Sequence, residues 1–290
     1  MTQSDAVTDL PLAPWYARLF RRDRIVVPVV RLHGPIAAEQ RPGRINIAGV
    51  GPLLKRAFKV RGAPAVAIVV NSPGGSAVQS RLVAKYIRDL AAEYDKKVLV
   101  FTEDVAASGG YFIATAGDEI IADPSSIVGS IGVIMGTFGF VEAMQKLGVE
   151  RRLYTAGKNK STLDPFQPEK KADVARIKQM ELDIHEVFID WVKQRRGDRL
   201  ATGKDLFTGE FWTAKRALRL GLVDSLGDMH ATLRERYGKH VRLKPIAPKR
   251  GLLQLPRLPF TGVGGTDAPD LPAALIAAIE DRLAWSRFGL

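Results

Sequence analysis

The apolar run from Ala65 to Val70 restricts the folds that this chain can adopt. Its small and β-branched residues follow one another without a polar side chain, as in a strand that is buried within a parallel sheet. The predicted strands cover residues 25–32, 65–70, 97–102, 119–122, 127–134 and 151–155, and the predicted helices between them cover 47–58, 78–94, 109–116 and 139–147. Because strands alternate with helices, the chain is predicted to be an α/β protein with a largely parallel sheet flanked by helices.

The charged segment from residue 168 to 199 predicts one long helix. Its apolar residues recur at helical spacing and form a stripe that suits a core or an interface. The stripe consists of Ile177, Met180, Ile184, Phe188 and either Trp191 or Val192. Further along, Thr213 is predicted to cap a helix over 214–220, with Gly221 directly after its end. Asp224, which follows, is expected to have a structural role near the sheet.

Composition divides the chain into four predicted segments. Residues 1–24 form a basic and aromatic arm, 25–243 the main domain, 244–270 a linker rich in proline and glycine, and 271–290 an amphipathic helix. The arm and the last helix have the mixture of aromatic, aliphatic and arginine residues that is typical of helices lying on a membrane surface. Contacts between subunits, or packing on the core, would explain the same residues.

The charge and the absence of cysteine narrow the class of protein. The 290-residue chain has a net charge of +12 and no cysteine, which excludes disulfides and thiolate metal sites. Residues 1–12 carry Asp5 and Asp9 and no apolar stretch of a secretory signal, and no apolar run is long enough to span a bilayer. We therefore expect a cytoplasmic protein in peripheral contact with the inner face of the membrane. Nucleic acid is not an expected partner, since no binding motif is present, and neither a metal nor another cofactor is expected.

Ser108 lies where a nucleophile is easily exposed, between a predicted strand and a predicted helix. It is flanked by Ala106-Ala107 and Gly109-Gly110, and the helix begins directly after it. Backbone N–H groups in the first turn of a helix stabilise negative charge. A simple helix cap followed by glycines is the structural alternative.

A second glycine turn follows the preceding buried strand, in Asn71-Ser72-Pro73-Gly74-Gly75-Ser76. Two adjacent glycines allow the backbone to turn its N–H groups outward at the carboxyl edge of the sheet. The N–H of Gly74 is predicted to pair with the N–H of Gly109 as a two-donor oxyanion hole.

The sequence identifies no histidine that could act as the base for Ser108. None of His33, His185, His230 and His240 is next to a serine- or glycine-rich turn. The remaining residue type that activates serine is a lysine in its neutral form. The loop from Tyr154 to Ser161 offers two lysines, Lys158 and Lys160, and its glycine spacing excludes a phosphate-binding loop.

Taken in order, these motifs resemble the signal peptide peptidase A family over about residues 25–240. The matching stretches are NSPGGS, AASGGYFIA, VGSIGVIMG, AGKNKS and TAKRALRLGLVDSLG. The resemblance implies a Clp protease/crotonase-like fold, a repeated ββα superhelix, and makes residues 25–243 a peptidase domain. It implies that Ser108 is the nucleophile, Lys160 the general base, Gly74 and Gly109 the oxyanion positions, and Ser130 a supporting residue near the lysine.

The resemblance also implies what the protein does. We expect a serine endopeptidase with a Ser–Lys dyad that cleaves peptides such as remnant signal peptides or segments from misfolded membrane proteins. It implies a homo-oligomer in which the serine of one protomer lies near the lysine of the next. The absence of an internal repeat and of an N-terminal anchor predicts a short, single-repeat form.

Departures from the family pattern keep alternatives open. Asn159 stands between the loop lysines where the family usually has an aromatic residue, and Ser161 follows where an acidic residue is frequent. Lys158 therefore remains an alternative base, and Ser130 is equally explained by close packing. A non-catalytic scaffold of the same fold, a crotonase-type acyl-CoA enzyme and a basic surface-binding protein are the alternative functions.

Overall fold

The computed structural model describes residues 25–248, 278–279 and 282–290. The predicted arm over 1–24 and most of the predicted linker lie outside these ranges. Of the predicted helix over 271–290, the structure describes residues 278–279 and 282–290; 278–279 and 282–286 are helical, and 287–290 are not.

The strands form one mainly parallel sheet. In chain order they are β1 Val26–His33, β2 Ala65–Ser72, β3 Lys97–Ala107, β4 Glu119–Ala122, β5 Ile127–Gly129, β6 Phe211–Thr213, β7 Ser225–Leu226 and β8 Arg242–Pro245. Their spatial order is β6-β5-β3-β2-β1-β8, and β4 connects β3 to β7. The pairing of β5 with β6 is antiparallel, and the other pairings among the described strands are parallel.

Helices connect these strands. They are α1 Ile47–Phe58, α2 Ala77–Tyr94, α3 Gly109–Ala114, α4 Val141–Leu147, α5 Lys171–Arg196, α6 Ala214–Arg219 and α7 Met229–Tyr237, with a 3₁₀ turn at Gly197–Arg199. The side chains of Asn46 and Ser76 accept backbone N–H groups at the starts of α1 and α2. The α/β class, with a largely parallel sheet flanked by helices, is thus confirmed.

The core lies on both faces of the sheet. Every residue of β2 is buried, as its unbroken apolar sequence predicts. Along β3, Val98 and Val100 belong to the larger core, to which α1, α2, α3 and α5 contribute. Leu99 and Phe101 point to the other face, where they share a second cluster with Leu233 of α7. The carboxyl ends of β1, β2 and β3 therefore come to one edge of a sheet that is held from both sides.

Strand β3 is longer than predicted and carries two neighbours on one side. Its first part pairs with β4 from Leu99 to Thr102, and its second part pairs with β5 from Val105 to Ala107. Between them the chain is held by Asn71, whose Nδ2 donates to Asp104 Oδ2 at 2.6 Å and whose Oδ1 accepts the N–H of Val105 at 3.2 Å. The extra length delivers residue 108 to the edge of the sheet.

Two predicted strands differ from the structure. Residues 151–155 form no strand, because no neighbouring strand pairs with them and they are exposed. Strand β5 ends at Gly129 rather than at residue 134, since Gly129 and Ser130 have φ of 107° and 53°, which an extended strand cannot continue.

The predicted stripe on the long helix is only half buried. Phe188 and Val192 pack in the core, whereas Met180 and Ile184 are exposed. The chain before this helix, residues 132–170, is hereafter called the outer segment, and it is largely exposed. Its exposed apolar side chains are Ile134, Met135, Phe138, Phe140, Leu147, Val149, Leu153, Tyr154 and Phe166. Many exposed apolar residues in one segment are typical of an interaction surface.

Candidate active site

Ser108 occupies a strained corner between β3 and α3. Its φ and ψ are 52° and −122°, a combination that non-glycine residues rarely adopt. Two hydrogen bonds hold the corner: the N–H of Ser108 donates to Gly129 O at 2.8 Å, and the C=O of Ser108 accepts from Phe112 at 2.9 Å. The side chain makes no capping hydrogen bond to the helix, and the residue is half-buried. The hydroxyl is therefore presented at the edge of the sheet instead of being used in the helix start.

Gly74 packs directly on this corner. A Cβ at Gly74 would lie 2.7 Å from Ser108 Cβ and 3.0 Å from Gly109 N, closer than side-chain carbons approach. The φ of Gly74 is +103°, which also favours glycine. The structure therefore brings together three of the residues predicted from sequence: Gly74, Ser108 and Gly109.

The glycine turn is held by its carbonyl and by its N–H. Gly74 O accepts the N–H of Ile36 at 2.8 Å, and Ile36 O accepts the N–H of Ser76 at 2.8 Å. In a trans peptide unit the C=O and the N–H point in opposite directions. The N–H of Gly75, which shares its peptide unit with Gly74 O, thus points away from Ile36.

The N–H of Gly74, the donor that the sequence favoured, already has an acceptor. It donates to Ser72 Oγ at 3.2 Å in a buried position. Ser72 was not singled out from sequence, although a serine two residues before a glycine is a known turn signal. Of the two glycines, Gly75 is therefore the one whose N–H is turned away from the bonds to Ile36 and Ser72.

Ser130 lies close to Ser108, because the residue before it, Gly129, is hydrogen-bonded to Ser108. Gly129, immediately before it, accepts the N–H of Ser108, and the N–H of Ser130 donates to Glu210 O at 2.7 Å. Ser130 is buried and has a positive φ of 53°. It therefore belongs to the same edge of the sheet as Ser108.

Lys160 does not contact Ser108 within the described residues. It is exposed in a turn of the outer segment, where its N–H donates to Gly157 O at 3.2 Å. Lys158, the alternative base, is exposed in the same turn.

The turn and the serine corner are attached to different parts of α5. Arg176 near the start of α5 donates to Asn159 Oδ1 at 3.1 Å. Trp191 near its end donates to Thr115 Oγ1 at 2.9 Å and stacks on Phe112 of α3 at 5.4 Å between ring centroids. At 1.5 Å per helical residue these attachments are about 22 Å apart along the helix. The single chain holds its candidate nucleophile and its candidate base in separate places.

The histidines that the structure describes do not form a catalytic pair with Ser108. His185 Nε2 lies 3.2 Å from Ile131 O, and the ring of His33 stacks on Trp285 with centroids 5.6 Å apart. No hydrogen bond joins any histidine to Ser108 in the described ranges. The geometry thus agrees with the exclusion of a Ser-His-Asp arrangement.

A buried ion pair fixes the elements behind the site. Arg196, which is 2% exposed, donates to both carboxylate oxygens of Asp224 and to Gly221 O. Burial alone would raise the pKa of Asp224, but the hydrogen bond and charge of Arg196, with the Ile120 N–H, hold that pKa below its ordinary value. Nearby, Tyr111 of α3 donates to Leu222 O at 2.8 Å, and burial raises the pKa of its hydroxyl. These contacts bind α3 and α5 to the sheet.

The described ranges contain no helix with both the length and the apolarity needed to cross a membrane.

Comparison with known proteins identifies related chains. A family model described as peptidase family S49 matches residues 91–243, which include Ser108, Ser130 and Lys160. A protein of Brucella melitensis named Na(+)/H(+) antiporter NhaA is 55% identical over 282 residues, which are 94% of this chain and 38% of that protein.

Two further relatives are named as proteases. Serine protease SPPA, chloroplastic, of Arabidopsis thaliana is 27% identical over 89% of this chain and 37% of its own length. Protease 4 of Haemophilus influenzae is 32% identical over 70% of this chain and 33% of its own length. The chain thus spans well under half of each of these three relatives. Because the family model covers more than half of the chain, the predicted relationship is confirmed: the chain belongs to peptidase family S49.

Proposed function

We propose that this protein hydrolyses peptide bonds with Ser108 as nucleophile and Lys160 as general base. The observation that carries the proposal is the packing of Gly74 on Ser108 Cβ, at a corner where the serine backbone is held at φ 52°. A strained, non-glycine residue pressed against a glycine turn is the arrangement expected of an exposed nucleophile beside backbone donors.

The reaction follows from these positions. A neutral Lys160 amine accepts the proton of Ser108 Oγ as the oxygen attacks the scissile carbonyl, and a tetrahedral intermediate forms. The protonated lysine then gives its proton to the leaving amine, and an acyl ester remains on Ser108. Water, deprotonated by the same lysine, hydrolyses the ester and regenerates the serine.

Two backbone donors would hold the oxyanion. The N–H of Gly109, the first residue of α3, has no acceptor within its own helix. The glycine turn provides the second donor. Gly74 would have to share its N–H with Ser72 Oγ, whereas Gly75 has its N–H turned away from Ile36, so we favour Gly75 for this role.

We further propose that Lys160 reaches Ser108 from a second copy of the chain. In one chain the lysine is exposed, and a lysine acts as a base only when its neutral form is favoured, as it is by burial. The outer segment that carries Lys160 also carries exposed apolar side chains, which suit an interface between copies. Assembly would bury these side chains and complete the site, with Ser130 close to the incoming amine.

The substrates that fit this proposal are extended apolar peptides, such as remnant signal peptides or segments of misfolded membrane proteins. The resemblance of its motifs to the signal peptide peptidase A family supports this substrate class. A cytoplasmic location at the inner face of the membrane, with peripheral contact through the basic terminal segments, would place the peptidase where such peptides are released.

Active-site labelling tests the dyad. Purified wild-type protein, Ser108→Ala, Lys160→Ala and Lys158→Ala are treated with a fluorescent fluorophosphonate, which reacts with activated serine hydroxyls. We expect labelling of the wild type and of Lys158→Ala, and none of the other two variants. Lys158→Ala is the matched control, since it removes an equally exposed amine from the same turn.

Three results would contradict parts of this proposal. A wild-type protein that is neither labelled nor able to cleave an internally quenched apolar peptide would contradict the peptidase activity. Labelling of Ser108→Ala at wild-type level would place the nucleophile elsewhere. Loss of labelling in Lys158→Ala but not in Lys160→Ala would assign the base to Lys158.

A further inference from the structure

We propose that Ser72 is a positioning residue that holds the glycine turn in the shape needed to bind the oxyanion, a role that rests on the proposed peptidase function. Ser72 is the last residue of β2 and is completely buried. Its hydroxyl accepts the N–H of Gly74 at 3.2 Å across Pro73, closing the turn through a side chain. Pro73 has no N–H, so Gly74 provides the N–H donor in the first half of the turn.

The turn needs such a bond because glycine is conformationally free. Gly74 and Gly75 have φ of +103° and +135°, and consecutive glycines have access to many other conformations. Ile36 holds the peptide unit between Gly74 and Gly75 by donating its N–H to Gly74 O, and it holds the next unit by accepting the N–H of Ser76. Ser72 holds the unit between Pro73 and Gly74. With these units held, the direction of the Gly75 N–H is determined.

Ser72 also touches the helix that follows the nucleophile. A Cβ at Gly110 would lie 2.5 Å from Ser72 O and 3.1 Å from Ser72 Cβ, so the helix backbone rests on this serine. One residue thus contacts both backbone segments that supply oxyanion donors, the glycine turn and α3. Its hydroxyl therefore links the glycine turn to the end of β2, against which α3 packs.

Ser72→Ala tests this role by two independent measurements. The first is hydrogen–deuterium exchange, read by mass spectrometry on peptides that contain residues 72–76. The second is steady-state hydrolysis of an internally quenched apolar peptide. Ser126→Ala is the matched control, because Ser126 is also a buried serine whose hydroxyl bonds main-chain oxygens, at Thr102 and Glu103, away from the glycine turn.

We expect faster exchange at residues 72–76 in Ser72→Ala and not in Ser126→Ala. We also expect kcat to fall about tenfold with KM within about twofold, since positioning a donor affects the transition state more than substrate binding and costs less than removing a donor. Unchanged exchange at the turn would overturn the inference. It would also be overturned if kcat and KM changed no more than in Ser126→Ala at equal thermal stability.

The two proposals fail in different ways. If the wild-type protein neither cleaves peptides nor reacts with the fluorophosphonate, the peptidase proposal fails. The exchange measurement then still decides whether Ser72 holds the turn. If the wild type is active and Ser72→Ala matches the control in both measurements, only the role of Ser72 fails.

Discussion

Gly74 and Ser108 are packed so tightly that the space for one methyl group on Gly74 is already filled by the serine. A Cβ there would lie 2.7 Å from Ser108 Cβ and 2.9 Å from Ala107 O. The contact joins the turn after β2 to the corner after β3, two segments that are separate in sequence and adjacent in the sheet. Any change in either segment is therefore transmitted to the other.

Gly74→Ala is expected to abolish activity while leaving the fold in place. The added methyl group has no room beside Ser108 and must displace the serine or the turn. We expect labelling of Ser108 to fall at least about a hundredfold, comparable to the loss of an oxyanion donor. The free energy of unfolding should fall by about 1–3 kcal/mol, measured by urea denaturation.

Gly43→Ala is the control for backbone strain alone. Gly43 also has a positive φ, +81°, but no atom lies within 4 Å of the Cβ position. We expect a stability loss of about 1–2 kcal/mol with labelling unchanged. Equal loss of labelling in both variants would show that strain, and not the contact with Ser108, causes the effect.

Coexpression of Ser108→Ala with Lys160→Ala should restore activity that neither variant has alone. If the dyad is shared between copies, random mixing leaves both residues intact at about a quarter of the sites, so about a quarter of wild-type activity is expected. Peptide hydrolysis by the copurified mixture measures this. A mixture as inactive as its parents would indicate that the serine and the lysine act within one chain.

Charged substitutions on the outer segment should weaken assembly. Phe138 and Tyr154 are 78% and 89% exposed, although both are large aromatic residues. Phe138→Asp with Tyr154→Asp places two carboxylates on the proposed interface, so we expect a smaller particle in analytical ultracentrifugation and reduced hydrolysis. Leu218→Asp on α6, also at an exposed apolar position, should change neither. An unchanged mass for the double variant would exclude this surface from the interface.

Arg196→Met should destabilise the fold strongly. It leaves the Asp224 carboxylate with Arg199 as its remaining cationic partner in a partly buried place. Breaking such a pair costs about 3–5 kcal/mol, and Arg199 should keep the loss near the lower end. Lys85→Met breaks an exposed pair with Asp89 and should cost about 1 kcal/mol or less. Similar losses in the two variants, measured by urea denaturation, would contradict a structural role for Arg196.

The same ion pair predicts how stability depends on pH. The pKa of Asp224 is lower in the folded protein than its ordinary value. The ionised carboxylate therefore contributes stability above about pH 4, and this contribution is lost as the pH falls below its ordinary pKa toward the folded value. Between pH 6 and pH 3, wild-type protein should lose more unfolding free energy than Asp224→Asn. Equal losses of unfolding free energy in the two proteins would show that Asp224 does not cause the pH dependence.

Local patterns predicted those parts of the fold that depend on nearby residues. The bounds of α1 and β4 agree with the prediction, because caps and apolar periodicity determine them. The prediction of a strand over 151–155 was wrong, because a strand forms only when another strand pairs with it. A short run of residues does not show whether such a partner exists. The end of β5 was missed because positive φ at a serine has no clear sequence signal.

The same distinction applies to the site. The sequence placed Ser108, Gly74 and Gly109 in two turns after buried strands, which have a local signature, and the structure brings these three residues together. The role of Ser72 became visible only when the direction of each N–H was known. The position of Lys160 relative to Ser108 depends on where the outer segment lies and on how copies assemble, which no local pattern contains.

The attachment of the serine corner and the lysine turn to different parts of α5 has an evolutionary consequence. The sheet that carries Ser108 is tightly constrained by its core, whereas the outer segment is exposed, and exposed segments generally tolerate insertions. If the dyad is shared as proposed, descendants of such a chain can change the surroundings of the substrate by changing the outer segment. Ser108 lies on the constrained sheet and would stay in place, so selectivity could change without a change in the chemistry.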